Sequence, residues 1–207
     1  MTQPAGIAAR YLALGDSYTI GEGVAADARW PNQLAAALRA RGLAIAGPEL
    51  VARSGWTCDE LSAGIDAANP AGRCALVSLL IGVNDQFRGA SAAEYASRFA
   101  PLLARAVALA GGHAGRVIVV SLPDWGVTPF AEGRDGAAIA TAIDAFNAVN
   151  RAEASRAGAR YVDVTPSSRR AAGDETQVTS DGLHPSAAVY ADWVRLALPT
   201  AATIVGQ

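Results

Sequence analysis

A serine near the start of the chain and an acid–histidine pair near its end have the residue types of a nucleophilic catalyst. Ser17 follows Gly15 and Asp16 at the end of an apolar run. Asp181 precedes His184 by three residues. A serine hydroxyl becomes an effective nucleophile when an imidazole accepts its proton, and a carboxylate holds that imidazole in one tautomer. This pattern predicts a serine hydrolase with Ser17 as nucleophile, His184 as general base and Asp181 as the orienting acid.

Simpler explanations stay open for these residues when each is taken alone. Ser17 could be a turn serine or a helix cap, and His184 could be a capping or core histidine. Asp16 is expected to brace its loop through backbone hydrogen bonds. His113, the only other histidine, lies in a glycine-rich loop at the opposite edge of the predicted sheet and is expected at the surface.

Two further segments could stabilise the oxyanion of a tetrahedral intermediate. Gly55 lies in the sequence Ser-Gly-Trp-Thr, where a glycine lets its backbone N–H approach a ligand closely. Asn84 lies in Gly-Val-Asn-Asp, and its amide carries two donors. A helix-entry turn and an Asn-Asp turn are the alternatives for these two segments.

Short apolar runs alternate with longer segments of helical pattern. The runs 75–81 and 117–120 are apolar almost throughout, as in strands covered on both faces of a parallel sheet. The predicted strands are 10–14, 43–51, 75–81, 117–122 and 160–164. The predicted helices are 31–41, 58–67, 92–110, 136–157 and 185–202, with Pro31 and Pro185 in first turns and Ser91 in a capping box. The alternation predicts one three-layer α/β domain over residues 1–207.

The candidate residues fall at one edge of this sheet, because each follows a predicted strand. Ligands bind beyond the carboxyl ends of the strands in open α/β sheets. Four aromatic residues in the same loops could line a substrate pocket or could pack beneath the loops: Trp56, Phe87, Trp125 and Phe130.

Composition excludes several function classes. The formal net charge is −2, charged residues make up 17% of the chain, and every basic residue is an arginine. There is thus no electrostatic footprint for nucleic acid and no P-loop lysine. No apolar stretch approaches the ~20 residues needed for membrane insertion. With two histidines, neither near a cysteine in sequence, no metal site is expected, and no cofactor is predicted.

The two cysteines and the first residues bear on the cellular compartment. Cys58 and Cys74 are expected to be reduced thiols, with one optional disulfide as the alternative. Residues 1–10 lack a cationic segment followed by a long apolar one, so no signal peptide is predicted. A cytoplasmic protein is expected; a secreted form whose signal was removed stays open, as does the oligomeric state.

The chain resembles the SGNH hydrolase superfamily, also called GDSL lipases or esterases. Four blocks occur in the family's order, around Ser17, Gly55, Asn84 and His184. The resemblance implies a flavodoxin-like five-stranded parallel sheet of order 2-1-3-4-5. It also implies a Ser17–His184–Asp181 triad and an oxyanion hole formed by Ser17 N–H, Gly55 N–H and the Asn84 side chain.

A small acyl ester is the expected substrate, because no sizeable lid fits within the chain. Carbohydrate O-acetyl groups, acyl thioesters and lysophospholipids remain alternatives on the same triad. A flavodoxin-like binding module without catalysis is the alternative of another class, and a catalytically silent relative is a third.

Overall fold

A central parallel sheet organises residues 8–207, the part of the chain that the computed structural model describes. Five strands pair in the order β2-β1-β3-β4-β5, and all four strand pairs are parallel. The strands are β1 Ala9–Gly15, β2 Ile45–Ala52, β3 Leu76–Leu80, β4 Val117–Val120 and β5 Arg160–Val162. The predicted strand number and sheet order are therefore confirmed, while the prediction on the signal peptide falls mostly on residues 1–7, outside the described range.

Within residues 8–207, eight α-helices lie between or after the strands, and the longer ones cover both faces of the sheet. They are α1 Ser17–Ile20, α2 Trp30–Ala40, α3 Cys58–Ala68, α4 Val83–Phe87, α5 Ala92–Leu109, α6 Gly136–Ala157, α7 Thr165–Ser168 and α8 Ala187–Val205. The helices α2 and α8 pack together on one face, and α3, α5 and α6 pack on the other. This arrangement confirms the three-layer α/β fold.

The apolar strands explain why the sheet lies in the core. Every residue of β3 and β4 is buried, since helices cover them on both sides. Burial of this apolar surface is the main stabilising contribution in such a fold. The sheet is thus a rigid platform whose carboxyl edge presents the connecting loops.

Local signals account for most helix starts, with one correction. Ser91 forms the predicted capping box with Glu94, and Pro31 lies in the first turn of α2. Pro185 was expected in the first turn of the last helix, but α8 begins at Ala187 after the N-cap Ser186. Pro185 instead lies in an isolated β-bridge with Val178, an extended conformation that keeps it outside the helix.

Both cysteines are buried free thiols. Cys58 begins α3, and Cys74 precedes β3. Among the helices of residues 8–207, none combines the length and the hydropathy needed to cross a bilayer.

Candidate active site

An open cavity lies at the carboxyl edge of the sheet, where the loops after β1, β2, β3 and β4 meet the segment before α8. Its volume is about 150 Å³, and its lining is mainly apolar. The lining residues are Ser17, Tyr18, Glu22, Ser54, Gly55, Val83, Asn84, Phe87, Trp125, Phe130, Leu183 and His184. The fold therefore brings residues from distant parts of the sequence around one small space.

Ser17 enters the cavity because β1 ends abruptly. Gly15 closes the strand, and a Cβ there would lie 2.1 Å from Thr19 Oγ1 and 2.4 Å from the Leu80 carbonyl oxygen. Only glycine allows the chain to turn so close to β3. Asp16 then caps the short helix α1 by accepting a hydrogen bond from Tyr18 N at 3.0 Å. Asp16 thus has the backbone-bracing contact that the sequence predicted.

His184 and Asp181 are joined as the base and orienter of a triad would be. His184 Nδ1 lies 2.6 Å from Asp181 Oδ2, and the imidazole is buried. The ring packs against Tyr18, with 5.0 Å between ring centroids. With Nδ1 held by the carboxylate, Nε2 is the nitrogen available to accept a proton. Among residues 8–207, no hydrogen bond joins Ser17 and His184.

The Asp181 carboxylate is held in its ionised form. Burial alone would raise its pKa, but donors outweigh that effect and lower the pKa to about 2. These donors are the His184 ring, the backbone N–H groups of His184 and Leu183, and the Thr179 hydroxyl. A carboxylate that stays charged is the partner that stabilises an imidazolium.

Two of the candidate oxyanion donors lie on neighbouring segments, the loop after β2 and the helix α4. Gly55 has a φ of 81°, a left-handed conformation that favours glycine. Asn84 lies on α4, and its Nδ2 donates to Trp56 O at 3.0 Å and to Asp16 Oδ2 at 3.3 Å. Both segments border the cavity beside Ser17. The first loop is fixed further by Arg88, which donates to Gly55 O at 2.6 Å.

Asp16 is a fully buried carboxyl group beside this amide. Burial raises its pKa to about 7, although hydrogen bonds from Tyr18 N and Asn84 lower it in part. The nearby Asp85 carboxylate raises it further. The hydrogen bond between Asn84 and Asp16 joins residues 68 positions apart, and no pattern in the sequence indicates it.

Three of the four candidate aromatic residues form one side of the cavity. Phe87, Trp125 and Phe130 contact one another, with ring centroids 5.4 to 6.2 Å apart. We call these three residues the aromatic wall. Trp56 does not line the cavity, because its indole lies against Gly64 of α3, where a Cβ would be 2.2 Å from the ring.

The aromatic wall is hydrogen-bonded to two segments that carry candidate catalytic residues. Trp125 Nε1 donates to Gln86 Oε1 at 2.8 Å, which links the wall to the helix that carries Asn84. Phe130 N donates to Gly182 O at 3.0 Å, which links it to the loop between Asp181 and His184. The sequence placed these aromatic residues in loops but carried no signal for either bond.

Other residues bear on what the site can hold. Tyr18, Glu22 and Leu183 line the cavity but were not singled out from the sequence.

His113 is exposed, in the loop before β4, at the opposite edge of the sheet. Within residues 8–207 no group of three or more His, Cys, Asp or Glu side chains could hold a metal ion.

Solved structures with the same fold are similar to this chain over nearly its whole length. TesA is 23% identical with a TM-score of 0.72, and the match covers 94% of this chain and 99% of TesA. The lipase/acylhydrolase from Enterococcus faecalis is 18% identical with a TM-score of 0.72, over 94% and 96%. Axe2, an acetylxylan esterase from Geobacillus stearothermophilus, is 20% identical with a TM-score of 0.68, over 96% of each chain. None of the curated proteins compared with the chain matches it.

A family model extends from the core of β1 to the first turn of α8. It describes the GDSL-like lipase/acylhydrolase family and matches residues 13–191. The matched span includes every residue of the cavity described above. The chain therefore belongs to the GDSL-like lipase/acylhydrolase family.

Proposed function

We propose that this protein is a serine esterase that hydrolyses small acyl esters through an acyl-enzyme on Ser17. The observation that carries the proposal is the bond of 2.6 Å between His184 Nδ1 and Asp181 Oδ2, on an imidazole that lines the same cavity as Ser17. An oriented base beside a serine at a strand end is the arrangement that activates a hydroxyl.

In this mechanism Ser17 Oγ attacks the ester carbonyl carbon while His184 Nε2 accepts the hydroxyl proton. The tetrahedral intermediate collapses, the C–O bond to the alcohol breaks, and the imidazolium gives its proton to the leaving oxygen. Water then attacks the acyl-enzyme with His184 again as base, which releases the acid and restores Ser17. Asp181 stays ionised throughout, as its lowered pKa favours.

The oxyanion is expected to be held by the N–H groups of Ser17 and Gly55 and by the Asn84 amide. Both N–H bonds of Asn84 Nδ2 already have protein acceptors, at 3.0 Å and 3.3 Å. The longer one, to Asp16, is the weaker bond and the one that a developing oxyanion would share. Each such donor contributes about 3–4 kcal/mol to transition-state stabilisation.

The size of the cavity supports a short acyl group. A volume of about 150 Å³ is comparable to an engineered cavity of about 150 Å³ that holds one benzene molecule. An acetyl to butyryl group fits such a space, whereas a long fatty acyl chain would extend into solvent. The structural likeness to an acetylxylan esterase is consistent with an acetyl ester.

Hydrolysis of 4-nitrophenyl acetate by three proteins tests the proposal. Ser17→Ala should lower kcat by about 10⁴-fold or more, since the nucleophile is lost. Ser54→Ala is the matched control, because Ser54 lines the same cavity but is bonded to Glu22, and it should keep most of the activity. Near wild-type turnover by Ser17→Ala, or no turnover by the wild type, would contradict the proposal.

A further inference from the structure

An arginine that the reaction does not use lies across the aromatic wall. The guanidinium carbon of Arg134 is 5.2 Å from the ring centroid of Phe87, 5.6 Å from that of Trp125 and 5.7 Å from that of Phe130. One cation thus contacts all three rings of one side of the cavity. Each contact within about 6 Å of a ring centroid is attractive.

The charge of Arg134 is not neutralised by a partner. Among residues 8–207, no ion pair or side-chain hydrogen bond involves Arg134. Other arginines near the site are occupied: Arg88 by Gly55 O and Glu60, and Arg169 by Asp124 and Asp144. A guanidinium stacked on rings keeps its N–H donors free at its edge, where they fit a carboxylate or phosphate in two parallel bonds.

The surrounding acids favour an anion on the cavity side of Arg134. Glu132, Asp174 and Glu175 line a groove on the other side of the wall, together with Arg134. An anion entering from that groove would meet these carboxylates. Glu22 lies in the cavity near Ser17, bonded to the Ser54 hydroxyl. Arg134 itself lines the groove and not the cavity. A substrate group that extends from the cavity across the exposed rings of Phe87 and Phe130 would reach Arg134 without first passing the groove carboxylates.

We propose that Arg134 is a specificity-determining residue that binds an anionic group of the ester substrate, a carboxylate or phosphate, at the outer edge of the aromatic wall. The inference rests on the proposed esterase function and names a substrate class for the same site. The rings hold the guanidinium in place, so little side-chain entropy is lost when it binds an anion. The anion can belong to the acyl group or to the alcohol.

Two pairs of esters distinguish these sources. The acyl pair is 4-nitrophenyl hydrogen adipate and neutral 4-nitrophenyl 6-methylheptanoate, which have the same number of acyl heavy atoms and the same terminal branching. The alcohol pair is 4-acetoxybenzoate and neutral 4-acetoxybenzamide. The measured quantity is the ratio of kcat/KM for the anionic ester to that for its neutral partner, after subtraction of uncatalysed hydrolysis.

Arg134→Met, which keeps an unbranched apolar stem but removes the charge, should lower this ratio by about five- to tenfold in one pair, as expected for loss of a partly exposed charged contact. The neutral esters should change less than about twofold, since methionine still covers the rings. Arg134→Lys should keep part of the preference, and added NaCl should weaken it in the wild type. A drop in the acyl pair assigns the anion to the acid, and a drop in the alcohol pair assigns it to the leaving group.

Equal ratios in the wild type and Arg134→Met for both pairs would overturn the assignment of Arg134, as would failure of the wild type to hydrolyse either anionic ester. The Ser17→Ala comparison on a neutral acetate is independent of these ratios. It separates a failure of the Arg134 assignment from a failure of the esterase mechanism.

Discussion

The two sides of the cavity are built in different ways. On the side that carries the candidate catalytic residues, His184 Nδ1 is paired with the Asp181 carboxylate, and Asn84 donates to Trp56 O and to the buried Asp16. On the aromatic side, Phe87 is 45% exposed and Phe130 is 41% exposed, and ring contacts with Arg134 hold them. The first side is therefore organised by hydrogen bonds, whereas the second presents exposed rings. Under the proposed function, those rings are the surface that meets the variable part of a substrate.

The largest effect is expected when one of two side-chain amides on α4 is removed, because only one of them is a candidate oxyanion donor. Asn84→Ala should lower kcat by about 10²- to 10³-fold with little change in KM, because an oxyanion donor acts in the transition state. Gln86→Ala removes an amide two residues away that supports Trp125 of the aromatic wall. It should lower kcat less than about threefold and act mainly on KM.

Steady-state kinetics of both variants on 4-nitrophenyl acetate measure this difference. Equal losses of kcat in the two variants would show that the two sides of the cavity are not functionally distinct. A change confined to KM in Asn84→Ala would remove Asn84 from the oxyanion hole.

A second prediction concerns the loss of folding stability when the buried carboxyl group of Asp16 ionises. The folded-state pKa of Asp16, about 7, exceeds the ordinary aspartate value of 3.8. The folded protein therefore binds more protons between these values, and the contribution of Asp16 to stability is present at low pH and is lost as pH rises through about 7. Between pH 5 and pH 8 this loss is about 2–3 kcal/mol, since one pKa unit corresponds to about 1.4 kcal/mol.

Asp16→Asn should remove that part of the pH dependence. Denaturant unfolding of both proteins at pH 5 and pH 8 gives the two differences in free energy of unfolding, and the Asn variant should show the smaller decline. If the free energy of unfolding declined equally in the wild type and in Asp16→Asn, ionisation of Asp16 would not destabilise the fold.

The smallest effect is expected from shortening one ring of the aromatic wall, which should change the preference for acyl-chain length. Phe130→Ala should enlarge the cavity and raise the ratio of kcat/KM for 4-nitrophenyl hexanoate to that for the acetate by about three- to tenfold, the range for pocket contacts of a few methylene groups. Leu196→Ala is the matched control, because Leu196 is equally exposed but lies on α8, outside the cavity lining. An unchanged ratio in Phe130→Ala would mean that this ring does not limit the acyl group.

The sequence was sufficient to predict the sheet and the loops that carry the candidate residues. Apolar runs such as Val117–Val120 have few alternatives to a buried strand, and Ser17, Asn84 and His184 each follow such a run or precede a helix. The short helices α1, α4 and α7 were not predicted. Helices of four or five residues are not stable alone and form because the surrounding fold holds them.

Contacts between side chains on separate loops could not be predicted. The bond from Asn84 to Asp16, the packing of Trp56 on Gly64 and the position of Arg134 over three rings depend on how loops approach one another in space. Residue type and spacing contain no measure of that approach. The sequence therefore predicted which strand ends carry the candidate catalytic residues, and it predicted the aromatic wall only as a set of loop residues.

The close contact at the end of β1 also limits how the gene can vary. Any codon change that replaces Gly15 adds a Cβ only 2.4 Å from the backbone of β3, and backbone cannot move aside as a flexible side chain can. Exposed residues that line the groove, such as Glu132 and Glu175, have no comparable close contact with a strand. In a library of random mutants, we therefore expect active clones to retain Gly15 and to accept substitutions in the groove. Selection for new substrates could then change the groove residues without disturbing the turn that carries Ser17.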